Sequence, residues 1–347
     1  MISRQILGCG EVEDHAHLLK SKQREIRKTT MQLHGLHHVT AVTGDVKANV
    51  DFYTRLLGLR LVKKTVNQDD TSAYHMFYAD KRGTPGTDMT FFDWPQVPPN
   101  VRGADSIANT MFRVNGPDAL AYWVTRFEAH HVTNSGLETF GGRSILRFED
   151  PEGQRLTLVD DQGATFEGEV WDGADIPVEH GIRGFYGITL SIPRLQRMEP
   201  IFSQLMGFIK IADYPSLDNP KEIVTVYGME GGGPGKEVHV IEQSGAKSGL
   251  LGRGGVHHVA FRLKDDAEQA EWFQRLTGMG VRNSGVVERY YFKSLYFRIS
   301  EGILFELATD TPGFAVDEPL ETLGERLALP PFLEPDRAKI EAGLKPI

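Results

Sequence analysis

The phrase His-His-Val occurs twice, at His37-His38-Val39 and His257-His258-Val259, and each copy opens an apolar stretch with the same downstream spacing. From His38, Tyr53 lies 15 residues on and Gly58 lies 20 on; from His258 the same offsets reach Phe273 and Gly278. Two weaker copies keep step. Gly187 opens Gly187-Ile188-Thr189-Leu190 and leads to Phe202 and Gly207, while Asn109 opens Asn109-Thr110-Met111-Phe112, with Ala129 where the glycine would stand. Starts at 38, 109, 187 and 258 lie 71, 78 and 71 residues apart, so the chain is four copies of one unit.

Each unit reads as a strand that ends in Asp, Asn or Pro turn residues, then a helix of period 3.6 closing near the glycine. In the first copy the helix is expected over Val46–Leu57, with Gly58 just past its end. Strands marked by β-branched and aromatic residues follow, and the last is introduced by Gly86, Gly153, Gly235 or Gly302. The fold class is therefore α+β: four βαβββ modules. A module of this kind leaves one sheet face uncovered, so the copies are expected to pair into two open-barrel halves. Residues 31–160 are read as one domain (modules 1 and 2) and 183–312 as the other (modules 3 and 4). Residues 161–182 would connect them, and the Pro-rich tail 313–347 would pack on the surface.

Composition narrows the function classes. With 347 residues, a net charge of -9 and no Lys/Arg cluster, nucleic acid is not an expected partner. No long apolar run offers a membrane span. Residues 1–30 mix acids and bases without an apolar core, which argues against a secretory signal and reads as a poorly ordered tail. Cys9, the single cysteine, rules out an intrachain disulfide and makes a thiolate metal site improbable, so the cytoplasm is the expected compartment.

The pattern resembles the vicinal oxygen chelate superfamily of glyoxalases, fosfomycin-resistance enzymes and extradiol ring-cleaving dioxygenases, over about residues 33–312. Leu36-His37-His38-Val39-Thr40, Tyr74-His75-Met76-Phe77-Tyr78, Gly83-Thr84-Pro85-Gly86 and Gly255-Val256-His257-His258-Val259 look like its hydroquinone 1,2-dioxygenase branch. The resemblance implies that metal ligands come from the first and last strands of a module. First-strand positions hold His38, Asn109, Gly187 and His258; last-strand positions hold Thr90, Thr157, His239 and Glu306. Modules 1 and 4 together supply His38, His258 and Glu306, whereas modules 2 and 3 offer Asn109, Gly187, Thr157 and His239, a poor divalent-metal site. Modules 1 and 4 are thus expected to share the metal site. Two His and one carboxylate form the facial set of non-haem Fe(II) oxygenases, with Mn(II) as the alternative metal. Glu306 also interrupts an apolar phrase, where an unpaired carboxylate would be costly.

Around that triad, strand alternation puts Thr40 on the face of His38, as a candidate substrate contact. Arg289 and Tyr296 match family positions near substrate oxygens, for phenolate stabilisation and proton steering. His37 and His257 alternate away from their neighbours, yet the resemblance sets matching residues near the substrate, so both are candidates for catalysis. His75 reads as structural, His130-His131 as helix-end residues, and Gly231–Gly235 as a hairpin turn, because no phosphate-loop Lys-Ser/Thr follows. The expected activity is Fe(II)-dependent ring cleavage of a hydroquinone-type diol with dioxygen, and self-association into a homo-oligomer is left open. Alternatives are an extradiol catechol dioxygenase, a metal-dependent glyoxalase-like isomerase or lyase, and, ranked lower, a binding protein without catalysis. An isomerase usually needs a second base where this chain holds Thr90.

Overall fold

A computed structural model describes residues 31–300 and 302–347. The expected reading of residues 1–30 and of Cys9 lies outside the described residues. Module 1 comprises β1 (Leu36–Thr43), β2 (Arg60–Asn67), β3 (Asp70–Ala79) and β4 (Asp88–Asp93). Module 2 comprises β5 (Ser106–Val114), β6 (Asn134–Phe140), β7 (Arg143–Glu149) and β8 (Arg155–Asp160), and module 3 β9 (Phe185–Ile192), β10 (Ile209–Pro215), β11 (Ile223–Gly228) and β12 (Glu237–Glu242). β13 (Val256–Leu263), β14 (Asn283–Glu288), β15 (Lys293–Arg298) and β16 (Leu304–Thr309) complete module 4. Between the first two strands of each module runs a helix: Val46–Val50, Gly116–Ala129, Leu195–Pro200 and Asp266–Gly278.

These strands form two curled eight-stranded sheets, in the orders β14-β15-β16-β13-β1-β4-β3-β2 and β10-β11-β12-β9-β5-β8-β7-β6. Module 1 thus closes against module 4, and module 2 against module 3, each across a central antiparallel pair. All eight residues of β1 are buried, as a strand covered on both faces requires.

Register confirms the repeat numbering. His38 stands opposite Ala260 and Thr40 opposite His258; in the other sheet Asn109 faces Thr189 and Met111 faces Gly187. Two residues after each first-strand position, the last strand of the same module is alongside: Thr40 with Thr90, Met111 with Thr157, Thr189 with His239, and Ala260 with Glu306.

The helix expected over Val46–Leu57 is α-helical only to Val50, then widens into a π turn over Asp51–Leu56, closed by Leu57 N–H donating to Phe52 O. Gly58 follows at φ +68°, the left-handed conformation that ends a helix without a Cβ penalty. Module 3 repeats the π turn at Ile201–Leu205. Exposed carbonyls at both π ends are capped by an arginine of the next module. Arg126 donates to Leu56 O at 2.9 Å and Arg55 O at 2.7 Å, and Arg275 donates to Leu205 O at 2.8 Å and to Gln204 O.

The C-terminal segment does more than lie on the surface. Phe314, Leu323, Leu329 and Ile340 are buried, and Phe314 and Leu323 join Val62, Phe77 and Tyr291 in the core of the first half-barrel. Fully buried Lys63 on β2 anchors this strap by donating to Asp317 at 2.7 Å and to Glu318, while Tyr291 OH donates to Asp317 at 2.9 Å. Lys63→Met would leave buried Glu318 with only the exposed Arg326, at 3.5 Å, to balance its charge. The substitution is expected to cost about 3–5 kcal/mol of stability, read as a lower urea midpoint with little change in slope; a loss below about 1 kcal/mol, the range of a surface ion pair, would show that the strap is not held by this cluster.

Candidate metal centre and active site

The curl of the first sheet brings three ligand-type atoms together. Glu306 Oε2 lies 2.9 Å from His258 Nε2 and 3.1 Å from His38 Nε2, and the two Nε2 atoms are 3.3 Å apart. All three side chains are buried, Glu306 completely. Among the described residues they form the one His/Cys/Asp/Glu group close enough to hold a metal ion. Metal–ligand bonds of about 2.1 Å set at right angles put neighbouring ligand atoms about 3.0 Å apart, so the three spacings suit one face of an octahedron. The fourth corner is Thr90, whose Oγ1 is 2.8 Å from Thr40 Oγ1 and 3.0 Å from His75 Nε2.

The outer faces of both histidines are engaged symmetrically. His37 Nδ1 lies 2.9 Å from His38 Nδ1, and His257 Nδ1 lies 2.7 Å from His258 Nδ1, with the rings edge-on in each pair. Each contact needs one shared proton. When the inner histidine donates it, its Nε2 keeps a lone pair aimed at Glu306, the tautomer a metal ligand requires. Ser294 Oγ donates to Glu306 Oε1 at 2.5 Å, which orients Oε2 toward the histidines.

Burial favours the neutral forms of His37, His75, His257 and His258 near one charged carboxylate. Burial alone would raise Glu306, but adjacent His38 and His258 overcome it and hold the carboxyl well below the usual range. Burial and the neighbouring His38 push His37 well down, and burial with His258 pushes His257 down to about 3. Burial also lowers His258, against the pull of Glu306, and His75 falls for the same first reason, helped by His38. Tyr296 is raised by burial and by the charge on Glu306, so its hydroxyl keeps its proton at neutral pH.

A cleft opens beside the triad, walled by Phe77, Phe92, Phe292 and His75. Arg289 and Tyr296 both line it, with the guanidinium 5.5 Å from the Tyr296 ring centre. Its free volume is about 40 Å³, room for a few waters. Arg289 pairs with Asp69 at 2.8 Å on the wall of the cleft, and Gln68 donates to the Arg289 carbonyl at 2.8 Å.

Sequence alternation placed Thr40 on the face of His38, and it is there, but its hydroxyl is fully buried against Thr90 and it does not line the cleft. His37 and His257 reach the ligand rings through their Nδ1 atoms despite the alternation. His75, read from sequence as structural, lines the cleft and bonds Thr90. The usable signal was its spacing: His75 and Phe77 share a face of β3, and Phe77 pairs with Thr90.

Comparison with known proteins places the chain in a family. The model of the Glyoxalase/Bleomycin resistance protein/Dioxygenase superfamily matches residues 35–158 and 187–317. A Bacillus subtilis (strain 168) protein named "Putative ring-cleaving dioxygenase MhqA" is 46% identical over 91% of this chain and all of its own length. The chlorohydroquinone/hydroquinone 1,2-dioxygenase of Sphingobium indicum is 32% identical, covering 87% of this chain and 93% of that protein. A solved Bacillus subtilis structure, 34% identical, superimposes with a TM-score of 0.84 over 92% of this chain and 98% of that one. Glyoxalase I of Zea mays shares the fold at 14% identity and a TM-score of 0.60, covering 84% of this chain and 97% of its own. The chain belongs to the Glyoxalase/Bleomycin resistance protein/Dioxygenase superfamily and is a homologue of its ring-cleaving dioxygenases.

Proposed function

We propose that this protein is an Fe(II)-dependent dioxygenase that opens the ring of a hydroquinone-type diol, with His38, His258 and Glu306 holding the metal. The carrying observation is the convergence of two imidazole nitrogens and one carboxylate oxygen beside an aromatic-walled cleft, with Thr90 rather than a second base in the fourth corner. Two His and one carboxylate suit Fe(II) and leave coordination positions free. Fe(II), when bound, supplies the one-electron chemistry that lets ground-state dioxygen react with a closed-shell ring.

The chain's own residues do the rest. Phe77, Phe92 and Phe292 give a flat ring an apolar surface and keep bulk water away. Arg289 brings a permanent positive charge to the cleft, which favours an ionised phenol oxygen. Tyr296 keeps a proton on its hydroxyl and can donate it in a hydrogen bond or return it to a developing oxyanion. His37 and His257 act as positioning residues, fixing tautomer and tilt of the ligand rings through Nδ1. His257→Ala is expected to weaken Fe(II) binding by about 10–100-fold, measured by chelator competition, with turnover recovering as iron is raised. Unchanged affinity would mean the His257 ring only packs.

Substrate choice tests the reading. Hydroquinone, chlorohydroquinone and catechol are compared by kcat/KM on iron-loaded protein, and the para-diols are expected to be preferred. Tyr296→Phe is expected to lower kcat by about 100-fold, as for removal of a general acid–base group, with little change in KM. Preference for catechol would move the assignment to extradiol cleavage, and activity on none of the diols would favour isomerase or lyase chemistry on the same triad.

A further inference from the structure

Among the described residues, a cavity larger than the cleft lies away from the triad. The concave face of the second half-barrel encloses about 1230 Å³, against about 40 Å³ beside the triad. Register explains the difference. Where the first sheet sets Phe77 opposite Thr90 and His75 opposite Phe92, the second sets Val226 opposite His239 and Val224 opposite Ile241. Gly187 stands where the first half has His38, and Arg147 with Thr157 stands where it has Tyr296 with Glu306. Smaller side chains at matched positions empty the barrel, and the volume exceeds that of ordinary small-molecule pockets, about 300–1,000 Å³.

The cavity is not a second metal site. Asn109 Nδ2 donates to Thr157 Oγ1 at 3.1 Å, and His239 Nε2 bonds Glu237 Oε2 at 2.8 Å. Glu237 also accepts from Tyr186 OH and from Gly233 N–H. One end, however, combines an apolar floor with an open cation. Met111, Ile145, Val159 and Tyr186 form a buried cluster, with Phe140 packed on it and its ring 5.5 Å from Tyr214. Arg143 projects into the same cavity over the Tyr186 ring, 5.2 Å from its centre. Its polar partners are the main-chain carbonyl Asp160 O at 3.2 Å and the Tyr186 hydroxyl, and among the described residues no carboxylate forms an ion pair with it. Arg147, by contrast, is neutralised by Glu138 at 2.6 Å and Asp218 at 2.5 Å. Arg155 also lacks a carboxylate partner, but it sits at the far end of the β7–β8 ladder, opposite Glu149 and away from the aromatic cluster.

We propose that the second half-barrel is a non-catalytic binding site for a small organic anion with a flat ring, its anionic group on Arg143 and its ring against Phe140 and Tyr186. A guanidinium that faces the cavity without a carboxylate ion-pair partner is complementary to a carboxylate or phenolate, and the adjacent aromatic surface selects a planar body. Glu237, on the far side of Tyr186, is engaged by Tyr186, Gly233 and His239. Occupancy here would be independent of metal in the first half.

Calorimetric titration of the full chain tests this, with benzoate as the ringed anion, benzyl alcohol as the neutral ring and acetate as the ringless anion. Benzoate is expected to saturate one site per chain and to bind at least about tenfold more tightly than either control, the worth of one charge-assisted contact. Arg143→Gln should weaken benzoate by about tenfold or more. Val226→Phe, which refills the barrel as the first half is filled, should reduce binding similarly while leaving the charge in place. Arg289→Gln, in the cleft by the triad, should leave it unchanged. No saturable benzoate binding, equal binding in Arg143→Gln, or loss confined to Arg289→Gln would each overturn the proposal.

Discussion

Glu306→Gln is expected to lose Fe(II) and, with it, at least about 99% of dioxygen uptake. The substitution is nearly isosteric, so packing in the buried phrase Ile303–Leu307 should survive. What changes is charge: Glu306 is the one acid among the three converging groups, and its fully buried carboxylate sits between two imidazoles. An amide oxygen keeps a dipole but removes the anion that makes this pocket attractive to a dication. A hundredfold loss corresponds to about 2.7 kcal/mol, a modest share of what a ligating carboxylate contributes. Atomic absorption on reconstituted protein and an oxygen electrode read both quantities. Retention of more than about a tenth of wild-type uptake at saturating iron, about 1.4 kcal/mol, would remove Glu306 from the metal site.

The metal-free protein should lose stability steeply on mild acidification. His37, His75, His257 and His258 all have folded-state pKa values below the ordinary histidine value, with burial the first cause in each. Unfolded, each would titrate near pH 6.5. As pH falls below about 6.5, the unfolded chain therefore takes up protons that the native chain refuses, and unfolding becomes more favourable. A single histidine in this condition costs about 1.4 kcal/mol per pH unit; for His257 the loss continues until its folded value of about 3 is reached. Several act together, so the urea midpoint should drop sharply between about pH 6.5 and 5. The depressed Glu306 acts at lower pH: its stabilisation is present above the unfolded carboxylate value, near 4.3, and is lost as pH falls toward its folded value. Fe(II) should shift the drop to lower pH, because a bound metal keeps its histidines unprotonated. A midpoint flat across pH 5–7 in metal-free protein would show that these histidines are solvated or charged in the native state.

Much of the fold was legible because the repeat fixes register. Once the family resemblance names the first and last strands as ligand positions, Glu306 and Thr90 follow from a count along the repeat, and the sheet pairing places Thr40 beside Thr90 and Ala260 beside Glu306 as that count requires. The closure of module 1 on module 4 could be inferred only from where ligand-type residues survive, since periodicity is identical in all four copies. Other features depend on contacts between distant residues. Nothing local marks Arg126 or Arg275 as caps for a preceding module's helix. The strap over β2 escaped detection because Phe314, Leu323, Leu329 and Ile340 are spaced without a helical or strand period in a Pro-rich stretch. His37 and His257 were obscured by the alternation rule, which gives the direction of a Cβ and not the reach of an imidazole.

The most direct single measurement is dioxygen consumed per ring lost, on protein reconstituted anaerobically with Fe(II) and given hydroquinone. Ring cleavage at the His38–His258–Glu306 centre predicts about one dioxygen per ring, with labelled oxygen from the gas entering the opened product. Ring loss without dioxygen uptake, or no turnover despite bound iron, would contradict it.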